Sequence, residues 1–230
     1  MNIQELISKT NDLNWQEKIL FVEKNFQKKI FSTSFSAEDQ VLTDYIAKQK
    51  LSIKFFTIDT FRLFDETYQT WQKTIDNYKI KIASFNPQTN ILKKFVESHG
   101  INAFYRSTDL RKQCCAIRKV EPLKRALKGY QIWISGVRQE HSAIRAGKNF
   151  FEYDDNLQII KFYPLLKFSE QQLWSYLKEH QVIYNKLHDL GFRSIGCNPC
   201  TRAISKNDEL RSGRWWWEND QHKECGLHKS

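Results

Sequence analysis

An α/β fold, with a mainly parallel sheet, helices on both of its faces and a cysteine-bearing C-terminal tail, follows from three observations on this sequence. Short apolar segments alternate with segments of helical periodicity from residue 14 to residue 135, the pattern of βαβ units and of a sheet buried on both sides. The apolar segments end in polar runs at residues 34–39, 59–62 and 136–145, and ligands of such sheets bind outside the carboxyl ends of the strands. Four of the five cysteines fall into two pairs, Cys114-Cys115 and Cys197/Cys200, while Cys225 stands alone near the end of the chain.

Taken in order, Trp15, Ile19, Leu20, Val22 and Phe26 recur at helical spacing, so residues 14–26 are predicted as an amphipathic helix. Residues 29–35 read as a buried strand. The run from Ser36 to Asp39 turns into a helix whose apolar face is Val41, Leu42, Tyr45 and Ile46, with Glu38 and Asp39 where the helix dipole favours carboxylates. A second strand over 52–58, a helix over 64–78, a third strand over 79–85 and a helix over 89–98 closed by Gly100 follow. Pro122 opens a short helix that ends at Gly129, a C-cap residue, and residues 131–135 form a fourth strand. Residues 157–163 read as a further strand before Pro164. Ser169 and Gln172 make a capping box for a helix through about His180, with Leu173, Trp174 and Leu177 inward. No repeat or low-complexity linker divides the chain, so residues 1–230 are expected to form one domain, with 211–230 as a mobile segment.

Composition narrows the function. A hydrophobic fraction of 40% with 14% aromatics supports a sizeable core. No apolar run approaches the roughly 18 residues of a membrane span, and residues 1–30 mix acids and bases in the manner of neither a signal nor a transit peptide. A cytoplasmic protein with no membrane partner is expected. The formal charge of +10 points to anionic partners. The bases recur in short groups, Arg111-Lys112, Arg118-Lys119 and Lys124-Arg125, with Arg138, Arg145, Arg202, Arg211 and Arg214 near cysteines or loops. That distribution favours a compact anion pocket over a stripe that tracks nucleic acid. Five cysteines in a reducing compartment argue against structural disulfides.

The chemistry of the cysteines stays open on spacing alone. A C-x-x-C such as Cys197-Asn198-Pro199-Cys200 suits a zinc half-site, a redox dithiol or part of an iron–sulfur site. Adjacent cysteines sit awkwardly on one zinc tetrahedron, whereas a cubane presents its irons at separate corners; unligated core cysteines are the third reading. Cys225 has Lys223 and His228 near in sequence to stabilise a thiolate, and Gly226 to allow close approach, although a thiol in a frayed tail has the same surroundings. Residues 34–39 can cradle phosphate at a helix N-terminus, but they lack the Walker ending, and an ordinary capped turn fits equally well. Trp215-Trp216-Trp217 is expected to pack the tail onto its domain rather than stack on a base.

Several runs together resemble a known family. RKQCCAIRKVEPL (111–123), SIGCNPCTRA (194–203), GRWWWE (213–218) and ECGLH (224–228), with DTFRLFDETY (59–68) and GVRQEHSAIRA (136–146), closely resemble assimilatory adenylyl-sulfate (APS) reductases of the sulfonucleotide reductase family, from about residue 30 onward. The resemblance implies an adenine nucleotide α-hydrolase type of fold. It implies that Cys114, Cys115, Cys197 and Cys200 hold a 4Fe-4S cluster and that Cys225 is the catalytic nucleophile. Lys119, Arg211, Arg214 and His228 would surround the phosphosulfate, Arg138 and Arg145 would lie on an arginine-bearing loop near the substrate, and Ser34, Ser36, Asp59 and Arg62 would line the nucleotide pocket. The implied reaction converts adenosine 5′-phosphosulfate to sulfite and AMP through an S-sulfocysteine, with thioredoxin or glutaredoxin as reductant, in sulfate assimilation. A homo-oligomer is left open. Ala37 and Phe61 depart from glycines common in the family. Use of the 3′-phosphorylated substrate (PAPS), alone or alongside APS, is the alternative within the family. A zinc-stabilised RNA-binding module is the alternative outside it.

Overall fold

The computed structural model describes residues 2–141 and 147–218. Its elements run α1 (Ile3–Thr10), α2 (Trp15–Asn25), β1 (Lys29–Ser32), α3 (Ala37–Lys48), β2 (Lys54–Ile58), α4 (Asp65–Tyr78), β3 (Ile82–Phe85), α5 (Thr89–His99), α6 (Thr108–Cys115), α7 (Glu121–Leu127), β4 (Ile132–Ile134), β5 (Phe151–Asp154), β6 (Ile159–Phe162) and α8 (Glu170–Glu179). The strands form one six-stranded sheet in the order β3-β2-β1-β4-β6-β5. β1 pairs in parallel with β2 and β4, and β4 with β6, while β5 runs antiparallel to β6. The α/β reading therefore holds, with one antiparallel edge strand added.

The central strands are apolar because both faces are covered. Ile30, Phe31, Ile132, Trp133 and Ile134 are all buried, which removes the alternation that a half-exposed strand would show. Around them lies a core that includes Leu6, Ile19, Val22, Val41, Leu42, Ile46, Phe151, Phe162, Leu173 and Leu177. After β1 the chain proceeds to β2 on one side, and after β4 it proceeds to β5 and then β6 on the other. The loops that follow β1 and β4 thus diverge at a topological switch point, where open α/β sheets bind ligands.

Local signals explain most boundaries. The Ser169–Gln172 capping box starts α8 as expected, and Asn14 with Glu17 forms a second one at α2. Gly100 closes α5 at a φ of 79°, a conformation that glycine adopts without steric cost. β1 is shorter than predicted, since the backbone turns at Phe35 with a φ of 60°. Lys79, at a φ of 54°, likewise delays β3.

Three elements were not predicted. Helix α1 buries only Leu6 and Thr10, too few positions to show a period. Strand β5 is a four-residue edge. Helix α6 has an inward side made of arginine and cysteine rather than aliphatic residues. It continues through a π-turn over Ala116–Val120 into α7, so the short helix predicted after Pro122 is the last part of a longer one. Pro122, lacking an N–H, falls at the start of α7, directly after the π-turn.

The chain divides into two compact units. One comprises Met1–Phe56, Glu66–Ala83 and Gly129–Lys186, and the other Thr57–Asp65, Ser84–Lys128 and Leu187–Ser230. The first contains the large apolar core. The second contains a smaller cluster of Phe104, Cys115, Cys197, Cys200 and Trp215, with Cys114 and Trp217 against it.

Candidate active site

Helix α6 builds one wall of a cysteine-lined recess in the second unit. Ser107 caps it by accepting from Leu110 N at 3.2 Å, fixing its start. From there Arg111, Cys114, Cys115, Arg118 and Lys119 follow at i, i+3, i+4, i+7 and i+8, the spacing of a single helical face. All five line the recess. The adjacent cysteines therefore share a wall by flanking the midline of one stripe. The π-turn that begins at Ala116 carries Arg118 and Lys119; such widened turns recur at functional sites.

The opposite wall is the Cys197–Cys200 clip. A 3₁₀ turn over Asn198–Cys200 brings Cys200 N to within 2.9 Å of Cys197 O, and Thr201 Oγ1 donates to the same carbonyl at 3.0 Å. Asn198 N donates to Arg62 O at 2.8 Å, which ties the clip to the segment after β2. The hydroxyl of Thr60 lies 3.3 Å from Cys197 Sγ, and Arg118 donates to Thr60 O at 2.6 Å.

Four thiols and four cations thus face one space, Arg62, Arg111, Arg118 and Lys119 being the cations. The thiols are not equivalent. Burial pushes Cys197 up, but Lys119, the Thr60 hydroxyl, Arg214 and Arg118 outweigh it and hold the thiol below its ordinary value. Burial dominates at Cys200, which is pushed up to about 12 with a neighbouring Cys197 adding to the rise. Cys114 is raised by burial against the opposing pull of Arg118. All four cysteines are free of disulfides.

Whether these residues fit an anionic sulfur-rich group can be judged from their donors. Trp215 Nε1 and Arg214 Nε are buried N–H groups with no acceptor among the described residues, and orphaned buried donors are costly. Trp215 packs in the cysteine cluster, and Arg214 lies over it. Four thiols and four cations lining the recess, with these donors close by in the same cluster, suit an anionic sulfur-rich group. Among the described residues, no group of three or more His, Cys, Asp or Glu is arranged to hold a single metal ion.

The tail closes this unit by three contacts. Thr201 bridges Arg214 in antiparallel fashion, Arg202 N donates to Gly213 O at 3.0 Å, and Trp215 N donates to Cys200 O at 3.1 Å. Gly196 and Gly213 permit this. A Cβ on Gly196 would stand 2.3 Å from Arg214 Nη2, and one on Gly213 would stand 2.3 Å from Arg202 O. Trp215 is 1% exposed, and two guanidinium groups, of Arg111 and Arg214, lie over its ring, each 4.7 Å from the centroid. Arg111 in turn makes a two-pronged ion pair with Glu218 at 2.9 and 2.7 Å. The tryptophan run does pack inward, as expected. Residues 211–218 of the segment expected to be mobile are built into the unit in this way.

In the first unit, the loop after β1 meets the loop after β4. Ser34 donates to Asp39 Oδ2 from its N–H at 2.7 Å and from its hydroxyl at 2.6 Å, and Ser36 caps α3 by accepting from Asp39 N. A Cβ at Gly136 would stand 2.5 Å from Asp39 Oδ1, so the glycine lets the two loops close. Burial raises Asp39 to about 6, partly opposed by the Ser34 bonds. Arg138 is enclosed: it donates to Glu38 at 2.9 Å, to Glu140 at 2.6 Å and to Phe168 O at 3.0 Å.

The predicted site residues therefore separate into groups. Cys114, Cys115, Cys197, Cys200, Arg62 and Lys119 share the recess, with Arg214 beside it. Arg62 also binds Ile101 O at 2.7 Å and Asn102 Oδ1 at 3.2 Å. Asp59 accepts from Phe61 N at 2.8 Å, and Arg211 O accepts from Arg214 N at 2.9 Å. Ser34, Ser36 and Arg138 lie in the first unit. Arg145, Cys225 and His228 lie outside the described residues. Sequence reasoning did not single out Thr60, Trp215 or Glu218 as parts of the site, and it gave Arg118 only as one base of an anion pocket. The stripe from Arg111 to Lys119 was available as a signal, once polar residues were allowed to define a helical face.

Known proteins are similar to this chain along most of its length. A family model described as a phosphoadenosine phosphosulfate reductase domain matches residues 28–203. An adenosine 5′-phosphosulfate reductase of Allochromatium vinosum is 44% identical over 200 residues, which span 87% of this chain and 78% of the relative. One from Burkholderia cepacia is 45% identical over 198 residues, spanning 86% and 79%. Among solved structures, phosphoadenylyl-sulfate (PAPS) reductase from Candida auris, in a phosphate complex, superposes with a TM-score of 0.74 at 27% identity, covering 89% of this chain and 98% of that one. An FMN adenylyltransferase of Candida glabrata superposes with a TM-score of 0.58 at 15% identity, covering 96% and 74%, a likeness of fold alone. The fold is of the adenine nucleotide α-hydrolase-like type implied by the sequence motifs.

Proposed function

Because this chain belongs to the phosphoadenosine phosphosulfate reductase family, we propose that it reduces adenosine 5′-phosphosulfate to sulfite and AMP, with Cys225 as nucleophile. The observation that carries the choice of substrate is the recess lined by Cys114, Cys115, Cys197 and Cys200, found in a chain 44–45% identical to proteins named as adenosine 5′-phosphosulfate reductases. That both cysteine pairs face one space also supports giving the reacting role to the fifth cysteine rather than to the C-x-x-C. The four recess cysteines are assigned to a 4Fe-4S cluster, which when bound would supply fixed charge beside the lysine and arginines of the recess.

The chemistry proceeds by three displacements at sulfur. The Cys225 thiolate attacks the sulfuryl sulfur, a new S–S bond forms, and the S–O bond to the phosphate breaks with its electron pair leaving on AMP. Lys119 and Arg214, with Arg211 and His228, are assigned to neutralise the charge that moves onto the phosphate oxygen. A thiolate of an external dithiol protein, of the thioredoxin or glutaredoxin class, then attacks Cys225 Sγ. Sulfite leaves with the electron pair of the S–S bond, and the second thiol of that protein resolves the mixed disulfide. The dithiol is oxidised by two electrons and the sulfuryl sulfur is reduced by two. Ser34, Ser36, Asp59 and Arg62 are assigned to the nucleotide, and Arg138 and Arg145 to the substrate loop. Within this set Arg138 is also committed to Glu38 and Glu140.

Mass measurement on the anaerobically purified protein after incubation with adenosine 5′-phosphosulfate, without reductant, tests this reading. A sulfite-sized adduct on Cys225, absent from Cys225→Ser, is expected; turnover without that adduct overturns the mechanism. The same assay with the 3′-phosphorylated substrate decides between single and dual use. No helix among the described residues is long and apolar enough to cross a membrane.

A further inference from the structure

We propose that Trp71, on α4, is a positioning residue for nucleotide binding: by stacking on Phe35 it holds the loop between β1 and α3 in the conformation that presents Ser34 and Ser36. This rests on the reading that Ser34 and Ser36 hold the nucleotide.

The loop needs a support at its centre. Ser34 is tied down by its N–H and hydroxyl on Asp39 Oδ2, and Ser36 by its cap on α3. Phe35, between them, has a φ of 60° and is fully buried. A residue with a Cβ is sterically strained in that conformation and keeps it only where its surroundings impose it. A bond from Phe35 N to Thr33 Oγ1 at 3.1 Å holds the backbone on one side. The ring is held by Trp71, stacked with centroids 5.5 Å apart and planes 20° from parallel. An aromatic pair contributes about as much as the left-handed region costs, so the stack and the strain are closely matched.

What aims Trp71 is the register of α4. Trp71 Nε1 is buried with no acceptor among the described residues, so no bond from the indole sets the ring. The buried positions of α4 are Thr67, Thr70 and Thr74, which with Trp71 recur at i, i+3, i+4 and i+7, one helical face. A helix that only covers a core carries an aliphatic stripe, as α8 does with Leu173 and Leu177. The threonine face of α4 is held instead by directional bonds. Gln40 Nε2, on α3, donates to Thr74 Oγ1 at 2.9 Å and to Ile183 O at 2.7 Å, and Asn185 Nδ2 donates to Thr67 Oγ1 at 3.0 Å. These bonds fix the rotation of α4, and with it the position at which Trp71 meets Phe35.

The alternative is passive packing, and coupling separates the two. Passive packing means that Trp71→Leu lowers stability but leaves the folded loop as it was. A positioning role means that affinity falls with the fraction of protein whose loop is in the binding conformation. Removing the stack from the Phe35 side then has the same effect, so the two losses do not add.

The test is the Kd for AMP of the iron-loaded full chain, measured by titration calorimetry, with urea unfolding midpoints alongside. Trp71→Leu and Phe35→Leu should each raise the Kd about tenfold, and the double variant no more than about twofold beyond either. Trp71→Phe, which keeps an aromatic face, should stay within about threefold of wild type. A Kd within about twofold of wild type in folded Trp71→Leu overturns the proposal, whatever the change in midpoint. An unchanged Kd in Phe35→Leu overturns it as well, which keeps the question decidable if Trp71→Leu does not fold. So do losses that multiply to about a hundredfold in the double variant. A wild-type protein that binds no AMP overturns the proposed function and this proposal with it; variants that bind as well as a binding wild type overturn this proposal alone.

Discussion

The Thr60 hydroxyl lies 3.3 Å from Cys197 Sγ in a fully buried setting. The same oxygen accepts from Arg62 N at 3.3 Å, and the Thr60 carbonyl accepts from Arg118 at 2.6 Å. One residue therefore joins the segment after β2 to both walls of the recess. Thr60→Val keeps the shape and removes the hydroxyl. We expect about 1 kcal/mol of lost stability in urea unfolding, the ordinary net value of such bonds, together with faster loss of iron to a chelator in the loaded protein. Unchanged values for both would show that the contact has no energetic role.

Gly196→Ala tests the passage that Arg214 uses. The added Cβ would stand 2.3–2.8 Å from three guanidinium atoms, and a guanidinium at the end of a flexible chain yields first. Arg214 would leave the face of Trp215 and its 3.3 Å bond to Ile195 O. About 1–2 kcal/mol of stability should be lost, within the range for modest overpacking. In a Cys225→Ser background, the Kd for adenosine 5′-phosphosulfate should rise on the order of tenfold, the value of about 1.4 kcal/mol, if Arg214 faces the phosphosulfate as assigned.

Phe61→Gly should stabilise the protein. Phe61 has a φ of 57° and is 53% exposed, so its ring gains little from burial while its backbone carries the cost of the left-handed region, about 1–2 kcal/mol. Glycine removes that cost and adds a smaller one from the greater freedom of the unfolded chain. A net gain of about 0.5–1 kcal/mol in urea unfolding is expected. This conformation is also a physical reason for the glycine that the family resemblance places here, and Phe61 is tolerated because its side chain projects into solvent.

What was legible in the sequence follows from which forces leave periodic traces. The strands around Phe31 and Ile132 and the helix bearing Val41 and Leu42 were readable because apolar burial sets their spacing. The ends of those strands stood out because polar runs interrupt the pattern. Helix α6 left no such trace, since its inward residues are Arg111, Cys114 and Cys115, and aliphatic periodicity does not register them. The pairing of Arg111 with Glu218, 107 positions apart, is a tertiary contact that no local pattern encodes. The role of Gly196 became readable only once Arg214 was seen to cross it. Arg138 shows the reverse: a basic residue read as substrate-facing is wrapped by Glu38, Glu140 and Phe168 O, because a charge buried at a switch point must first be balanced.

Asp39 supplies a pH dependence with a definite sign. Its carboxyl is raised from 3.8 to about 6, first by burial, with Ser34 and Ser36 opposing and Glu38 adding to the rise. Between those values the folded protein holds a proton that the unfolded chain has lost. Stability from this group is therefore complete below about pH 4 and is lost as pH rises through 6. The shift corresponds to a few kcal/mol at most, at about 1.4 kcal/mol per unit. Asp39→Asn retains an acceptor for the Ser34 N–H and hydroxyl but cannot ionise. The free-energy difference between variant and wild type, followed by urea unfolding from pH 4 to pH 7, should move steadily in favour of the variant as pH rises. A difference that stays flat across that range would mean that the Ser34 bonds compensate the buried carboxylate in full, and that the loop at the head of α3 carries its charge without cost.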